Sequence, residues 1–105
     1  MDKIENRYKW MPLKSTLRKM ESSNRKTAFK VFRDSSSGFV AKKHVREFVF
    51  EQDSYKCVKC GRVVGLQVDH IESVKKCFDK KKYHQCNTLG NLQTLCKKCN
   101  ASKQP

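Results

Sequence analysis

Acidic residues are scarce in this chain, and neither a long apolar run nor the pattern of a secretory leader is visible in it. Ten Asp and Glu stand against 24 Lys and Arg, a formal net charge of +14 over 105 residues. The excess is spread along the chain, with 14 basic against 7 acidic residues in 1–56 and 10 against 3 in 57–105. That is a basic surface rather than a basic tail, and nucleic acid is the polyanion it best suits. With no long apolar run and no amphipathic membrane helix, a membrane partner is not expected. Met1 to Lys9 is charged and no apolar stretch follows it, which is not the pattern of a signal peptide. The six cysteines are therefore expected to be reduced, in an intracellular, cytoplasmic protein, and to hold metal rather than disulfides. A chain of this length buries a modest core, so a structural metal would supply much of its stability.

What is present is a pair of Cys-x-x-Cys motifs, Cys57/Cys60 and Cys96/Cys99, with 35 residues between Cys60 and Cys96. Four thiolates so paired predict one tetrahedral, closed, structural Zn²⁺ site. The gap is longer than in a common zinc ribbon, so a substantial element is inserted between the knuckles. Such a staple would draw Asp69, His70, Asn91 and Asn100 together. Cys77 and Cys86 lack knuckle spacing. With His84 they make either a second metal site or, the commoner case, loop cysteines that are free or packed. His44 reads as a surface histidine.

Along the chain, Leu13, Leu17 and Met20 mark one face of a helix that Pro12 could open and Ser22-Ser23-Asn24 would end. Phe29 to Phe32 reads as a short strand, and Asp34 to Gly38 as a turn. Phe39 to Gln52 is a helix candidate with Ala41, Val45, Phe48 and Val49 on one face and Lys42, Lys43 and Arg46 on the other. Val63-Val64 and Leu66 to Val68 flank Gly65 as short strands or a hairpin, and Asp69-His70-Ile71 continues the second. Residues 72–88 read as a long lysine-rich loop. Leu89 to Leu95 resumes order, and Cys96 to Lys103 is a knuckle turning into a short helix. In a strand, Asp69 and His70 would point to opposite faces. Aspartate suits a hard cation, and a neutral histidine suits general base work.

The ordered run Cys57-x-x-Cys60, Val68-Asp69-His70-Ile71, Asn91-Leu92-x-x-Leu95-Cys96-x-x-Cys99-Asn100-x-x-Lys103 resembles the HNH endonucleases, the zinc-stapled ββα-metal nucleases. The likeness covers roughly residues 40–104. It implies an α+β fold with a small ββα-metal core and a four-cysteine zinc site in residues 40–105, preceded by a helical, basic extension over 1–39. It implies hydrolysis of DNA phosphodiester bonds to 5′-phosphate and 3′-hydroxyl ends. His70 matches the general base, Asp69 the metal-binding position before it, and Asn91 the central asparagine that holds the loop and helps orient the histidine. Asn100 stands where the last motif residue, often histidine, stands. A catalytic divalent cation on Asp69 and Asn100 would be Mg²⁺ or Mn²⁺, with Ni²⁺ or Zn²⁺ as alternatives. Lys103 matches a lysine placed for phosphate contact, and Lys80, Lys81, Lys82, Lys42 and Arg46 are further candidates for contacting the nucleic-acid backbone. Charge and knuckles alone fit two rivals equally well: a non-catalytic nucleic-acid-binding zinc module, and an assembly protein with an acidic partner.

Overall fold

The computed structural model describes residues 14–103. Pro12 and Leu13, the start of the first expected helix, lie outside them. The described part of that helix is α1 (Lys14–Glu21), which buries Met20. Asn24, expected to follow its end, instead opens the next helix, its side chain accepting a hydrogen bond from the Thr27 amide at 2.9 Å.

That helix, α2 (Arg25–Val40), overturns two expectations. Phe29 to Phe32 is not a strand, and Asp34 to Gly38 is not a turn. Ala28, Phe32 and Ser36 recur at i, i+4 and i+8, and all three are buried. Burial of that face outweighs the weak turn preference of three serines and a glycine, which is worth tenths of a kcal/mol per serine and about 1 kcal/mol for the glycine. The third helix is also shorter than expected. Phe39 and Val40 end α2, the chain breaks at Ala41-Lys42, and α3 (Lys43–Gln52) follows. Ala41 is exposed and drops out of the expected apolar face, whereas Val45 and Val49 are fully buried.

Past α3, Ser54 and Tyr55 adopt positive φ and reverse the chain into the first knuckle. The sheet has two antiparallel strands, β1 (Leu66–His70) and β2 (Leu92–Cys96), paired from Leu66 opposite Cys96 to His70 opposite Leu92. Val63 and Val64 form no strand. They are 61% and 66% exposed, between glycines at 61 and 65 whose φ values of 79° and 65° turn the backbone away. The partner of β1 is thus 22 residues downstream rather than across Gly65.

The segment between the strands is not a long loop. It holds α4 (Val74–Asp79), capped by the Ser73 hydroxyl on the Lys76 amide, and a 3-10 turn (Leu89–Asn91). Cys77, Phe78 and Cys86 are buried against Met20, Ala28 and Phe32 of α1 and α2. The lysines hid this apolar seam, because Cys77-Phe78 is its only short apolar run. The ring of Phe78 lies 5.3 Å from Phe29 and 5.9 Å from Phe32. A second core joins Val45 and Val49 of α3 to Leu92, and a third joins Leu95 to Cys57 and Cys96. The short helix α5 (Lys97–Ala101) follows β2, as expected. Among the described residues, no helix is long and apolar enough to cross a membrane.

Candidate metal centre and nuclease site

The two knuckles meet because β2 holds both. Cys96 is its last residue, and the Val58 amide of the first knuckle donates to the Thr94 carbonyl at 3.0 Å. Thr94 is fixed from the other side, its amide donating to Asp53 Oδ2 at the end of α3 at 2.7 Å. The four sulfurs of Cys57, Cys60, Cys96 and Cys99 lie within 4.8 Å of one another, and Cys60 and Cys96 are 3.6 Å apart. A zinc ion with bonds of about 2.3 Å at the centre of a tetrahedron needs sulfur–sulfur edges of about 3.8 Å. The cluster therefore fits a zinc ion with small adjustments, and among the described residues it is the one group of Cys, His and carboxylates so placed.

The charges favour a cation as well. Burial pushes the Cys57 thiol up, but amide hydrogen bonds from Cys96, Cys60 and Lys59 outweigh it and hold the thiol at about 6. Cys96 is also lowered, first by the Cys99 amide that its sulfur accepts at 3.4 Å. Cys99 is pushed the other way, up to about 12, by its contacts with the sulfurs of Cys96 and Cys60. Two thiolates thus form readily while a third is opposed by its neighbours, an arrangement that a divalent cation resolves.

The expected pair on β1 does face two ways. Asp69, 9% exposed, points toward α5. Its Oδ2 accepts from Lys103 Nζ at 2.7 Å and from Gln93 Nε2 at 2.9 Å. Asn100 stands on the same side, its Nδ2 donating to Gln67 Oε1 at 2.7 Å. Two oxygens, Asp69 Oδ1 and Asn100 Oδ1, keep no partner among the described residues. One carboxylate and one amide oxygen suit a Mg²⁺ ion that takes its other ligands from water and phosphate. Lys103 is not a free phosphate contact here. It is spent on Asp69 and on the His70 carbonyl.

His70 points toward Ser36 of α2 and toward Asn87 in the segment between α4 and the 3-10 turn. Its Nε2 lies 2.6 Å from Asn87 Oδ1 and 3.5 Å from the Ser36 hydroxyl. Burial lowers its pKa from the ordinary 6.5, opposed by the Asn87 hydrogen bond and by Asp69, which favours the neutral ring. Asn91 holds the chain just after His70: its carbonyl accepts from Ile71, its Oδ1 from the Glu72 amide, and its Nδ2 donates to the carbonyls of Glu72 and Cys86. It holds the loop, but the side chain on the histidine ring is Asn87. Neither Asn87 nor Ser36 was expected at the site. Their signal was faint, since Ser36 gains meaning only once residues 34–38 are read as helix.

The remaining candidates lie outside this cluster. Lys80 and Lys82 pair with Glu72 at 2.8 and 3.7 Å, while Lys81 is exposed with positive φ. Lys42 and Arg46 are exposed over the rings of Phe39 and Phe50. His44 and His84 are exposed, so Cys77 and Cys86 are packed cysteines and the three do not gather into a second metal site.

No curated protein and no solved structure matches the chain. The family model described as HNH endonuclease matches residues 57–105. That stretch begins at the first zinc-knuckle cysteine and takes in β1, β2 and α5, so over 49 of its 105 residues this chain of α+β fold is similar to the HNH endonucleases.

Proposed function

We propose that this protein is a metal-dependent HNH endonuclease that hydrolyses DNA phosphodiester bonds. The observation that carries this reading is the split of Asp69 and His70 to opposite faces of β1. One offers an unpartnered carboxylate oxygen, and the other is an imidazole kept neutral by burial. In this reading His70 takes the proton from the attacking water as general base. Asp69 and Asn100 hold the catalytic cation, Mg²⁺ or Mn²⁺. Bound there, it would supply charge stabilisation for the scissile phosphate and the leaving 3′ oxygen. Asn91 keeps the backbone after His70 in place. Lys103 offsets the charge of Asp69 until substrate and cation arrive. The four cysteines hold a structural zinc ion that takes no part in the chemistry, because its coordination is closed.

A second reading, a non-catalytic nucleic-acid-binding zinc module, is favoured by one contact. The Lys103 ammonium already satisfies one oxygen of Asp69 without any cation. Supercoiled plasmid separates the two. With Mg²⁺ or Mn²⁺ the parent protein should nick or linearise it, and His70→Ala should be slower by roughly 10²-fold or more while keeping zinc and DNA binding. A folded, zinc-loaded protein that binds DNA yet cuts none with Mg²⁺, Mn²⁺, Ni²⁺ or Zn²⁺ would establish the second reading instead.

A further inference from the structure

We propose that Asn87 and Ser36 are positioning residues that fix the tautomer of His70, so that Nδ1 is the atom that accepts the proton. The inference rests on the reading of His70 as general base. It starts from the Asn87 side chain, which is completely buried. A buried amide must place its oxygen against donors and its nitrogen against acceptors. Asn87 Nδ2 lies 3.3 Å from the Ser36 carbonyl, which can only accept. Its Oδ1 then faces the Ser36 hydroxyl at 3.0 Å and His70 Nε2 at 2.6 Å. The opposite rotamer would press oxygen against the Ser36 carbonyl and turn Nδ2 toward the ring. The amide orientation is thus set by a backbone atom of α2.

An amide oxygen can only accept, so His70 Nε2 must carry the proton. The neutral ring that burial favours then has a single lone pair, on Nδ1, and that atom has no partner among the described residues. A fixed tautomer saves the base from choosing between two forms at each turnover. Ser36 completes the arrangement: its hydroxyl donates to the same Asn87 oxygen while its carbonyl anchors the amide nitrogen. Ser36 lies 21 residues before the HNH-family stretch begins. Helix α2 therefore completes the surroundings of the base from outside the family's own segment. Among the described residues the other polar neighbours of the Ser36 hydroxyl are His70 Nε2 itself at 3.5 Å and the weakly polar Cys86 Sγ at 3.8 Å.

Long-range proton–nitrogen NMR on histidine-labelled, zinc-loaded full chain reads the tautomer directly. In the parent, His70 should show its proton on Nε2 alone, protected from exchange with water. Asn87→Asp keeps an acceptor in place and should keep that signal. Asn87→Leu removes the acceptor, and the ring should then populate both tautomers with a rapidly exchanging proton. In plasmid cleavage, kcat of Asn87→Leu should fall about 10-fold, the effect of one lost hydrogen bond in the transition state, with KM for DNA unchanged. Asn87→Asp should restore most of the loss, which a merely structural role for Asn87 would not produce. A proton on Nδ1 in the parent overturns the proposal, and needs no variant to fold. So does a folded Asn87→Leu protein with an unaltered, protected Nε2 proton. A parent protein that cuts no DNA defeats the nuclease reading instead, and the tautomer measurement still decides the hydrogen-bond assignment.

Discussion

Two cysteines of the staple separate the effect of metal from the effect of packing. Cys96 is 1% exposed, belongs to β2, packs with Leu95 and Cys57, and caps α5 through its sulfur. Cys60 is exposed and belongs to no apolar cluster. Without zinc, Cys60→Ser would be an ordinary surface change, within about 0.5 kcal/mol of neutral. With zinc, each substitution removes one of four ligands. Structural zinc in small domains is worth roughly 10–16 kcal/mol at neutral pH, so one ligand of four carries about 3 kcal/mol on an even division. A small domain has only about 5–15 kcal/mol in all. Serine is itself a good helix cap, so Cys96→Ser should lose the ligand while keeping the start of α5. Both variants should therefore be destabilised by a similar, large amount, about 3 kcal/mol each, and both should lose bound zinc. Urea unfolding with and without a chelator, beside elemental analysis, measures this. A Cys60→Ser protein with the parent's midpoint, or a parent midpoint that chelator leaves unmoved, would refute the reasoning.

Three further outcomes are expected. Burial lowers the pKa of His70 from 6.5, so the cleavage rate should rise with pH and level off with a midpoint below 6.5; a midpoint above 7 would contradict the buried, neutral base. The sign for stability follows from the same shift: the contribution of neutral His70 is complete above about pH 6.5 and is lost as pH falls through the folded value, an acid-side loss that His70→Gln should remove from the unfolding midpoint measured against pH. Phe32→Ala, at the fully buried centre of the seam between α2 and α4, should cost about 3–5 kcal/mol in chemical denaturation, whereas a value under 1 kcal/mol would mean the N-terminal helices do not share that core. Replacing Lys80, Lys81 and Lys82 with Ala should weaken DNA binding with little change in stability; since Lys80 and Lys82 are shared with Glu72, Lys81→Ala alone should lower the salt slope by up to about 0.9, one phosphate's worth, and an unchanged slope for the triple variant would remove this segment from the interface.

The zinc cluster and the strand carrying Asp69 and His70 were legible in the sequence because their signals are local and chemical. Cys-x-x-Cys spacing builds its own turn, and Leu66-Gln67-Val68-Asp69 alternates apolar and polar in the way a half-buried strand does. The apolar faces of α1 and α3 were legible from periodicity, although the boundary of α3 slipped at Phe39, whose ring continues the face of α2. Helix α2 was not legible, because Phe29 to Phe32 looked like a strand and the serine run like a turn. Only the burial of Phe32 against Phe78 of α4, and of Ser36 against Cys86 and Asn87, all more than 40 residues away, decides between the two. The same holds for Asn87. Its meaning is its contact with Ser36 and His70, 51 and 17 residues away, and nothing in its neighbours' identities announces that contact.

A strand's two faces exchange when its pairing slips by one residue. In β1 such a slip would turn Asp69 toward α2 and His70 toward α5, and both would lose every partner described above. A two-stranded sheet has little intrinsic resistance to this movement. Here the register is pinned at fixed points along β2: Thr94 between Asp53 and Val58, and Cys96 within the staple opposite Leu66. The cysteine cluster at one end of the sheet thereby acts as an alignment pin for the other end, determining which of two adjacent side chains faces Lys103 and Gln93 and which faces Asn87 and Ser36.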